Sequence, residues 1–539
     1  MLRIGIAQIN TTVGDISGNC RKIKEYIKQA EEFKVDIIAF PELSITGYPP
    51  EDLLLKPKFV LDNLALLNEL SKEVFDIVAI VGFVDRKGNN LYNAASIIYQ
   101  RRIRGIYHKM CLLNYGVFDE KRYFKEGEKP RIFRFKNIIF SVNICEDIWD
   151  KALVKNVALM DVRLIFNCSA SPYHYGKRKE EEKILSYQAK KNSIFIAYAN
   201  LMGGQDELVF DGASMVLDDK GRIIERAGQF KEDLLITDLD IGKREEKKPP
   251  IPKRKIEPLE PIPEIYQALI LGLSDYVFKN GFKKVVIGLS GGIDSSLVAA
   301  LATDALGKDN VIGVFMPSIY SSKESFEDAK ELAENLEIKL INIPISDIFN
   351  LYLSLLKPYF KGHKRNITEE NLQARIRGNI LMALSNKFGW LVLATGNKSE
   401  ISTGYATLYG DMAGGFACLK DIPKTLVYKL AGYRNSKELV IPERVLKKEP
   451  TAELKPDQKD SDTLPEYETL DPIVKAYIEE DKDLQEITSL GFDKKIVSYV
   501  LSLIDKSEYK RRQSPPGIKI TPKAFGKDRR MPITNKYRG

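Results

Sequence analysis

Residues 283–306, "KKVVIGLSGGIDSSLVAALATDAL", decide the fold of the second half of the chain. "KKVVIGLS" is a short aliphatic run typical of a buried strand, and "SSLVAALATDAL" predicts a helix with a serine or aspartate N-cap. The glycine pair, Gly291 and Gly292, therefore falls in a strand-to-helix turn. Free backbone N–H groups and the helix dipole favour a phosphate there, and glycine lets it approach closely. Because no Gly-Lys-Ser/Thr follows, this is not a Walker A loop, and kinase-like γ-phosphate transfer is disfavoured.

The composition indicates a soluble globular protein of two or three domains. The chain has 539 residues, of which 44% are hydrophobic and 29% are charged. Its 82 basic and 74 acidic residues give a net charge of +8. This mild excess fits anionic small-molecule substrates, and for so long a chain it is weak evidence for nucleic acid. We expect no nucleic-acid partner.

Cysteine usage and hydropathy predict a reduced, cytoplasmic protein. The five cysteines form no CxxC pair and no metal-like group with the three histidines. No apolar stretch approaches the roughly 18–20 residues that span a bilayer, so we expect no membrane partner. The start, "MLRIGIAQIN", leads directly into an alternating strand pattern, so we expect no export signal.

Two irregular stretches divide the chain. Residues 247–264, "KKPPIPKRKIEPLEPIPE", are crowded with prolines and charges and predict a surface linker. We therefore expect domains at 1–245 and 264–539, joined by a linker at 246–263. A second stretch, residues 441–468, predicts a long charged loop, and its length suggests a functional lid.

The first half alternates strand-like and helix-like segments, which predicts an α/β domain. Strand-like segments include "LRIGIAQI", "DIIAF", "DIVAIVGFV" and "NIIFSVNI", and helical periodicity is clear in "NCRKIKEYIKQAEEF" and "KRKEEEKILSYQAKKN". Three residues whose side chains could take part in catalysis lie just beyond predicted strand ends: Glu42, Lys109 and Cys145.

Each of these three residues alone has a simpler explanation, as a solvated turn, a surface charge or a small core side chain. Together they suggest a thiol enzyme. A catalytic thiol needs a base to take its proton and a nearby cation, and lysine also stabilises an oxyanion. With only three histidines in the chain, such an enzyme would use a Glu-Lys pair.

Four blocks of the first half resemble the motifs of the nitrilase superfamily, specifically its glutaminase branch: "PELSITGYPPEDLL", "HKMCLLNYGVFDEKRYF", "NICEDIW" and "SASPYHYGKRKEEE". The resemblance implies an α-β-β-α sandwich, with Glu42 as general base, Lys109 as its partner and Cys145 as nucleophile. It also implies that Glu120 holds the lysine and the substrate in place. The implied glutamine-binding residues are Tyr115, Ser171 and Lys177.

The second half resembles a different family. "SGGIDSS" is similar to the pyrophosphate loop of ATP pyrophosphatases, which adenylate a carbonyl substrate. Residues 371–411, "EPTAEL" at 449–454 and residues 510–535 narrow the resemblance to the glutamine-dependent NAD+ synthetase family. This implies a doubly wound parallel sheet of Rossmann-like type. The implied ATP-binding residues are Gly288, Leu289, Ser290, Gly291, Gly292, Ile293, Asp294, Ser295, Thr395 and Thr451. The implied deamido-NAD+ residues are Asn371, Arg375, Glu400, Asp411, Lys424 and Lys510, and the implied magnesium ligands are Asp294 and Glu400.

The resemblance implies ATP-dependent amidation of deamido-NAD+ with ammonia from L-glutamine, giving NAD+, AMP and pyrophosphate. ATP and Mg²⁺ are then required, and we expect a homo-oligomer. One alternative is a glutamine-dependent synthetase of the same class acting on another carboxylate or carbonyl. A second is a nucleotide-binding regulatory protein with two inactive sites, although all the key residues are present.

Overall fold

The computed structural model describes residues 1–241, 248–456 and 458–537 and contains two compact units, Met1–Glu260 and Pro261–Gly539. The predicted domain boundary after residue 245 lies outside the described residues. A helix already begins at Pro261, inside the predicted linker, since proline is tolerated in the first helical turn. Of the helices in the described ranges, none combines the length and the apolar character needed to span a membrane.

Unit 1 contains fourteen described strands and four described α-helices. The strands are β1 (Leu2–Gln8), β2 (Ile37–Ala39), β3 (Val78–Lys87), β4 (Asn90–Tyr99), β5 (Arg102–His108), β6 (Ile132–Phe135), β7 (Ile138–Ile144), β8 (Leu164–Ser169), β9 (Phe195–Asn200), β10 (Met202–Gln205), β11 (Leu208–Asp211), β12 (Met215–Leu217), β13 (Ile223–Arg226) and β14 (Asp233–Leu239). The helices are α1 (Ile16–Glu32), α2 (Pro57–Ser71), α3 (Lys151–Ala158) and α4 (Lys177–Asn192).

The strands form two mixed six-stranded sheets and a hairpin of β10 and β11. The sheet orders are β14-β1-β2-β3-β4-β5 and β13-β12-β9-β8-β7-β6. In each sheet the central pairs are parallel. They are β1–β2 and β2–β3 in one sheet, and β7–β8 and β8–β9 in the other. Both sheets therefore present the carboxyl ends of parallel strands, where side chains of different strands converge.

Alternation along the strands builds the layers. Ile4 and Val78 of one sheet pack against Phe166 of the other in a core between the sheets. Ala79, next to Val78 in the chain, faces the opposite way, toward α1 and α2. Ile165, next to Phe166, likewise faces α3 and α4. A period of two side chains thus buries both faces of both sheets. The predicted α-β-β-α sandwich is confirmed.

Unit 2 contains five described strands and twelve described α-helices. The strands are β15 (Val285–Gly288), β16 (Val311–Phe315), β17 (Lys339–Asn342), β18 (Leu391–Ala394) and β19 (Phe416–Ala417). The helices are α5 (Pro261–Lys279), α6 (Ile293–Leu306), α7 (Lys323–Asn335), α8 (Ser346–Leu356), α9 (Ile367–Phe388), α10 (Lys398–Thr403), α11 (Lys424–Lys437), α12 (Glu443–Lys447), α13 (Tyr467–Ile478), α14 (Leu484–Ser489), α15 (Lys494–Lys506) and α16 (Glu508–Arg511).

The five strands form one parallel sheet in the order β17-β16-β15-β18-β19, which confirms the predicted doubly wound fold. Val286 and Val392 pack against α8 and α9 on one face, and α6 contacts β15 and β16. The chain runs outward from β15 to β17 and returns to β18 on the other side. The carboxyl ends of β15 and β18 therefore mark the switch point of the sheet, where ligands bind in open α/β folds.

Two local predictions need correction. The helix after the glycine pair begins at Ile293 with Gly292 as N-cap, so neither a serine nor an aspartate caps it. The predicted loop at 441–468 is partly helical, because α12 and a 3-10 turn at Asp460–Asp462 lie within it and α13 begins at Tyr467. Its role as a lid stays a prediction.

Candidate active sites

Cys145 lies directly after β7, in a sharp backbone turn. It opens the 3-10 turn Cys145–Ile148 and has a φ of +46°, a left-handed conformation that is strained for a residue with a side chain. The buried Asp147 carboxylate accepts hydrogen bonds from the Ile144 backbone N–H (2.9 Å) and the Tyr107 hydroxyl (2.8 Å). The turn is thus held by its own strand and by β5, which fixes the thiol at the carboxyl edge of the sheet.

Glu42, Lys109 and Glu120 form one buried cluster. Lys109 Nζ lies 2.8 Å from Glu42 Oε1 and 2.8 Å from Glu120 Oε1. The side chains of Glu42 and Lys109 are fully buried and that of Glu120 is 5% exposed. The other oxygens accept backbone N–H groups, Glu42 Oε2 from Ala170 (3.0 Å) and Glu120 Oε2 from Leu113 (2.9 Å). Two glutamates from separate sequence blocks therefore share the ammonium group of Lys109.

Burial dominates the ionisation of this cluster. It raises the pKa of the Cys145 thiol, Glu42 raises that pKa further, and Lys109 lowers it. Burial also raises the pKa of Glu42, although Lys109 opposes the shift. For Lys109 burial lowers the pKa, but Glu120 and Glu42 outweigh it and hold it above the usual value. Lys109 consequently stays protonated, and the thiol is neutral until a neighbouring base takes its proton.

The predicted glutamine-binding residues lie around this cluster. Lys177 begins α4, donates to the Pro172 carbonyl oxygen (2.6 Å) and lowers the pKa of Cys145. Ser171 is buried, and its hydroxyl donates to Glu181 Oε1 (2.7 Å). Tyr115 is 61% exposed. Partial burial raises the pKa of its hydroxyl to about 12, and the nearby Glu146 carboxylate adds to the shift.

Several residues of this site escaped the sequence analysis. The fully buried carboxyl group of Glu181 holds the Ser171 hydroxyl. Asn93 donates from its side chain to both Glu42 Oε1 (2.6 Å) and Glu120 Oε1 (3.2 Å). Glu181 stands in a run of three glutamates and Asn93 within a strand, so neither gives a sequence signal. Asp147 follows Cys145 so closely that it could have been identified.

A second candidate site is a cavity of about 280 Å³ at the switch point of unit 2. Most residues predicted to bind ATP or deamido-NAD+ line it: Gly288, Leu289, Ser290, Gly291, Gly292, Ile293, Asp294, Ser295, Thr395, Glu400, Asp411, Lys424 and Thr451. Arg377, Lys448, Glu453 and Asp460 also line the cavity and were missed. Residues from β15, β18, α9, α11 and the 448–460 segment therefore surround one space.

Packing against neighbouring residues, and not only the approach of a phosphate, requires glycine in the loop before α6. Gly291 has a φ of +77°, and a Cβ atom there would lie 2.4 Å from the Ser325 carbonyl oxygen. Packing against α7 thus already requires glycine, a reason that the sequence alone did not reveal. The Ser296 hydroxyl donates to the Gly292 carbonyl oxygen (2.8 Å) and does not line the cavity.

Asp294 and Glu400 face each other across the ammonium group of Lys424. Lys424 Nζ pairs with Asp294 Oδ2 and lies 3.3 Å from Glu400 Oε1. Asn397 donates to the other Asp294 oxygen, Oδ1 (2.9 Å). Burial raises the pKa of Glu400 to about 8 against the effect of Lys424, and Asp294 adds to the shift. Burial likewise raises the pKa of Asp411 to about 6.

Asn371, Arg375 and Lys510 do not line this cavity, but all three converge on residues 404–408. Asn371 accepts from the Thr407 hydroxyl (2.9 Å), and Arg375 Nε donates to the Leu408 carbonyl oxygen (3.2 Å). Lys510 Nζ donates to the carbonyl oxygens of residues 404 (2.7 Å) and 406 (2.8 Å). They form a cluster beside the cavity. Asp411, which lines the cavity, connects the two, because the charge of Lys510 acts on its carboxyl group and lowers its pKa.

Comparison with known proteins matches both units. Residues 3–248 match the family described as Carbon-nitrogen hydrolase, and residues 265–514 match the family described as NAD synthase. The glutamine-dependent NAD(+) synthetase of Thermotoga maritima is 50% identical, with 100% of this chain and 99% of that protein covered. The chain belongs to the glutamine-dependent NAD(+) synthetase family. The synthetase of Aquifex aeolicus, 48% identical with both chains fully covered, places it there equally.

Solved structures of the family have the same fold. The glutamine-dependent NAD+ synthetase of Acinetobacter baumannii, solved in complex with adenosine diphosphate, superposes with a TM-score of 0.80 at 44% identity. The alignment covers 99% of this chain and 98% of that one. The corresponding enzyme of Cytophaga hutchinsonii gives a TM-score of 0.85 at 23% identity, over 99% of this chain and 98% of that chain. The resemblance inferred from the motifs is thereby confirmed over the whole chain.

Proposed function

We propose that this chain converts deamido-NAD+ to NAD+ at the unit 2 cavity, with ATP, and that unit 1 supplies the ammonia from L-glutamine. One observation carries the proposal. A single chain of this family holds both a buried cluster of two glutamates and a lysine beside Cys145 and a glycine loop at a sheet switch point. The first arrangement suits an amide hydrolase and the second a nucleotide.

In unit 1, Glu42 takes the proton of the Cys145 thiol, and the thiolate attacks the side-chain amide carbon of glutamine. The tetrahedral adduct collapses as the amide nitrogen receives a proton and leaves as ammonia. Water, deprotonated by the same carboxylate, then hydrolyses the thioester and releases glutamate. Because Lys109 and the Ala170 N–H already hold Glu42, no reorientation is needed for either proton transfer.

The charge of the cluster explains how a buried thiol is ionised. Two carboxylates and one ammonium carry a net charge of −1 before reaction. Moving the proton from Cys145 to Glu42 keeps that total and transfers the negative charge to sulfur. A neutral thiol with a raised pKa is therefore compatible with catalysis, because the proton moves within the cluster and not to bulk water.

In unit 2, a carboxylate oxygen of deamido-NAD+ attacks the α-phosphorus of ATP, and pyrophosphate leaves. The activated carbonyl then accepts ammonia, AMP departs, and the amide loses a proton. Activation is needed because a carboxylate repels nucleophiles and has no good leaving group. Backbone N–H groups of the glycine loop at the start of α6 would bind the departing phosphates.

Asp294 and Glu400 would hold Mg²⁺. Their oxygens are hard ligands. Burial raises the pKa of Glu400 and the neighbouring Asp294 adds to the shift, so a bound cation would stabilise the ionised carboxylates. The described residues contain no group of three or more metal-binding side chains, so phosphate oxygens and water would complete the shell. When bound, Mg²⁺ neutralises phosphate charge. Lys424, which pairs with both carboxylates, would turn to the phosphates.

Homo-oligomerisation stays a prediction. It is supported by α8, whose apolar side chains Leu351 and Leu355 are about 60% exposed, with Ile348 and Tyr352 beside them at 41%. Exposed apolar rows of this kind commonly mark interfaces between subunits. Light scattering of the purified chain would measure its mass in solution.

The substrate proposal is tested by product analysis. With ATP, glutamine and a panel of nucleotide carboxylates, only deamido-NAD+ should be consumed, giving NAD+, AMP and pyrophosphate in equal amounts. Consumption of another carboxylate would favour a synthetase of the same class with a different substrate. Glutamine hydrolysis with no ligation of any carboxylate would leave unit 2 as a regulatory nucleotide-binding unit.

A further inference from the structure

The side-chain amide of Asn93 bridges the two carboxylates of the unit 1 cluster. Asn93 lies on β4 and is 1% exposed. Its Nδ2 donates one hydrogen bond to Glu42 Oε1 (2.6 Å) and one to Glu120 Oε1 (3.2 Å). Lys109 Nζ contacts the same two oxygens at 2.8 Å each. One ammonium and one amide therefore hold the carboxylates together.

The carboxylates fix the orientation of this amide. A half-turn would place the Asn93 carbonyl oxygen against two negatively charged oxygens. The observed orientation instead leaves Oδ1 buried and without a hydrogen-bond partner among the described residues. An unpaired buried carbonyl is destabilising, and an apolar side chain of similar size would avoid it. The two donated hydrogen bonds explain why an amide occupies this position.

The register of the sheet supports the same role. The Asn93 carbonyl oxygen accepts the backbone N–H of Lys109 (2.8 Å) at the end of the β4–β5 pairing. Asn93 is thus tied to Lys109 through the backbone and to Glu42 and Glu120 through the side chain. A shift of this one residue would move all three charged groups.

We propose that Asn93 is a positioning residue of glutamine hydrolysis, a role that rests on the proposed function of Cys145. It holds Glu42 by Oε1, so the second lone pair of Oε2, beside the hydrogen bond from the Ala170 N–H, takes the thiol proton. It also gives two like-charged groups hydrogen bonds to their ionised forms without adding positive charge. Glu42 therefore remains a working base beside Glu120.

The test uses Asn93→Leu, which removes both hydrogen bonds, and Asn93→Asp, which keeps the shape and adds a third carboxylate. Glutamate release from glutamine is measured between pH 5 and 9. In both variants kcat should fall about 10- to 100-fold because the base is misplaced, with KM changed by less than about threefold. The acid limb of kcat should move to higher pH, further for Asn93→Asp, because the ionised base is less favoured.

Asn63→Leu is the matched control. Asn63 is also fully buried in unit 1, but its amide pairs with the Val84 backbone (Nδ2 to O, 2.6 Å). This variant should be less stable while its acid limb stays in place. Folding of each variant is judged by the fluorescence of Trp149 in a Trp390→Phe background.

The outcomes separate the two proposals. An unchanged kcat and acid limb in either folded Asn93 variant would overturn the positioning role, and so would an equal shift in Asn63→Leu. If Asn93→Leu does not fold, Asn93→Asp decides alone, since it preserves shape. The function of Cys145 fails differently: wild-type protein would release no glutamate, or release would survive Cys145→Ala.

Discussion

Replacing Lys109 by methionine tests the electrostatic account of the unit 1 cluster. The substitution keeps much of the side-chain volume but removes the ammonium group that contacts Glu42 and Glu120 at 2.8 Å. Both carboxylates are almost fully buried, so they become uncompensated charges in a low-dielectric site. Breaking a buried ion pair in this way typically costs about 3–5 kcal/mol. For a unit of this size that corresponds to a fall in Tm of roughly 6–20 °C.

The pH dependence gives the effect a distinct sign. Burial already raises the folded-state pKa of Glu42, and Lys109 opposes that shift, so loss of Lys109 raises this pKa further above its unfolded value. Stability linked to a raised carboxyl pKa is fully present below the unfolded pKa and is lost as pH rises through the folded one. The destabilisation by Lys109→Met should therefore be largest near pH 8 and shrink toward pH 5.

The chain offers a clean probe for this measurement. It has two tryptophans, Trp149 in unit 1 and Trp390 in unit 2. In a Trp390→Phe background, Trp149 fluorescence follows the unfolding of unit 1 alone. The control is Lys24→Met, which removes an exposed ion pair with Glu73 (2.7 Å) and should cost under about 1 kcal/mol. A loss below 1 kcal/mol for Lys109→Met at pH 8, or one that does not shrink on acidification, would refute the reasoning.

Three further predictions concern the two sites. Gly291→Ala should abolish NAD+ formation, because its Cβ would meet the Ser325 carbonyl oxygen at 2.4 Å; Gly281→Ala, equally left-handed but with open space around it, should only reduce stability slightly. Asp294→Asn should abolish NAD+ formation from glutamine and from ammonium while glutamate release persists, and normal ammonium-driven synthesis would place the metal ion elsewhere. The acid limb of glutamate release should lie above the usual glutamate pKa of about 4.3, since burial raises the pKa of Glu42; a limb at or below that value would contradict the assignment.

The sequence predicted features that depend on local pattern. Strand periodicity located β1, β2, β3 and β7, and the glycine pair located the turn between β15 and α6. Motif blocks singled out Glu42, Lys109 and Cys145, which the structure brings to one place. These predictions worked because short stretches determine hydrogen bonding and side-chain alternation.

Contacts between distant segments could not be predicted in the same way. Asn93 has an ordinary strand context, and its role depends on where Glu120, 27 residues later, folds back. Ser296 follows Ser295 directly in the sequence, yet only Ser295 of the two lines the cavity. The strain at Gly291 depends on α7, which packs from elsewhere in the unit. Such features follow from tertiary packing. The residues in contact are far apart in the sequence, and no local pattern links them.

The central claim is that unit 1 makes ammonia and unit 2 consumes it, and Cys145→Ala tests it most directly. NAD+ formation from deamido-NAD+ and ATP is measured at slightly alkaline pH with glutamine or with excess ammonium. Loss of a catalytic nucleophile costs on the order of 10⁶ in rate, so the variant should form essentially no NAD+ from glutamine. It should form NAD+ from ammonium at the wild-type rate. Glutamine use at the wild-type rate, or loss of ammonium-driven synthesis in a folded, ATP-binding variant, would contradict the account.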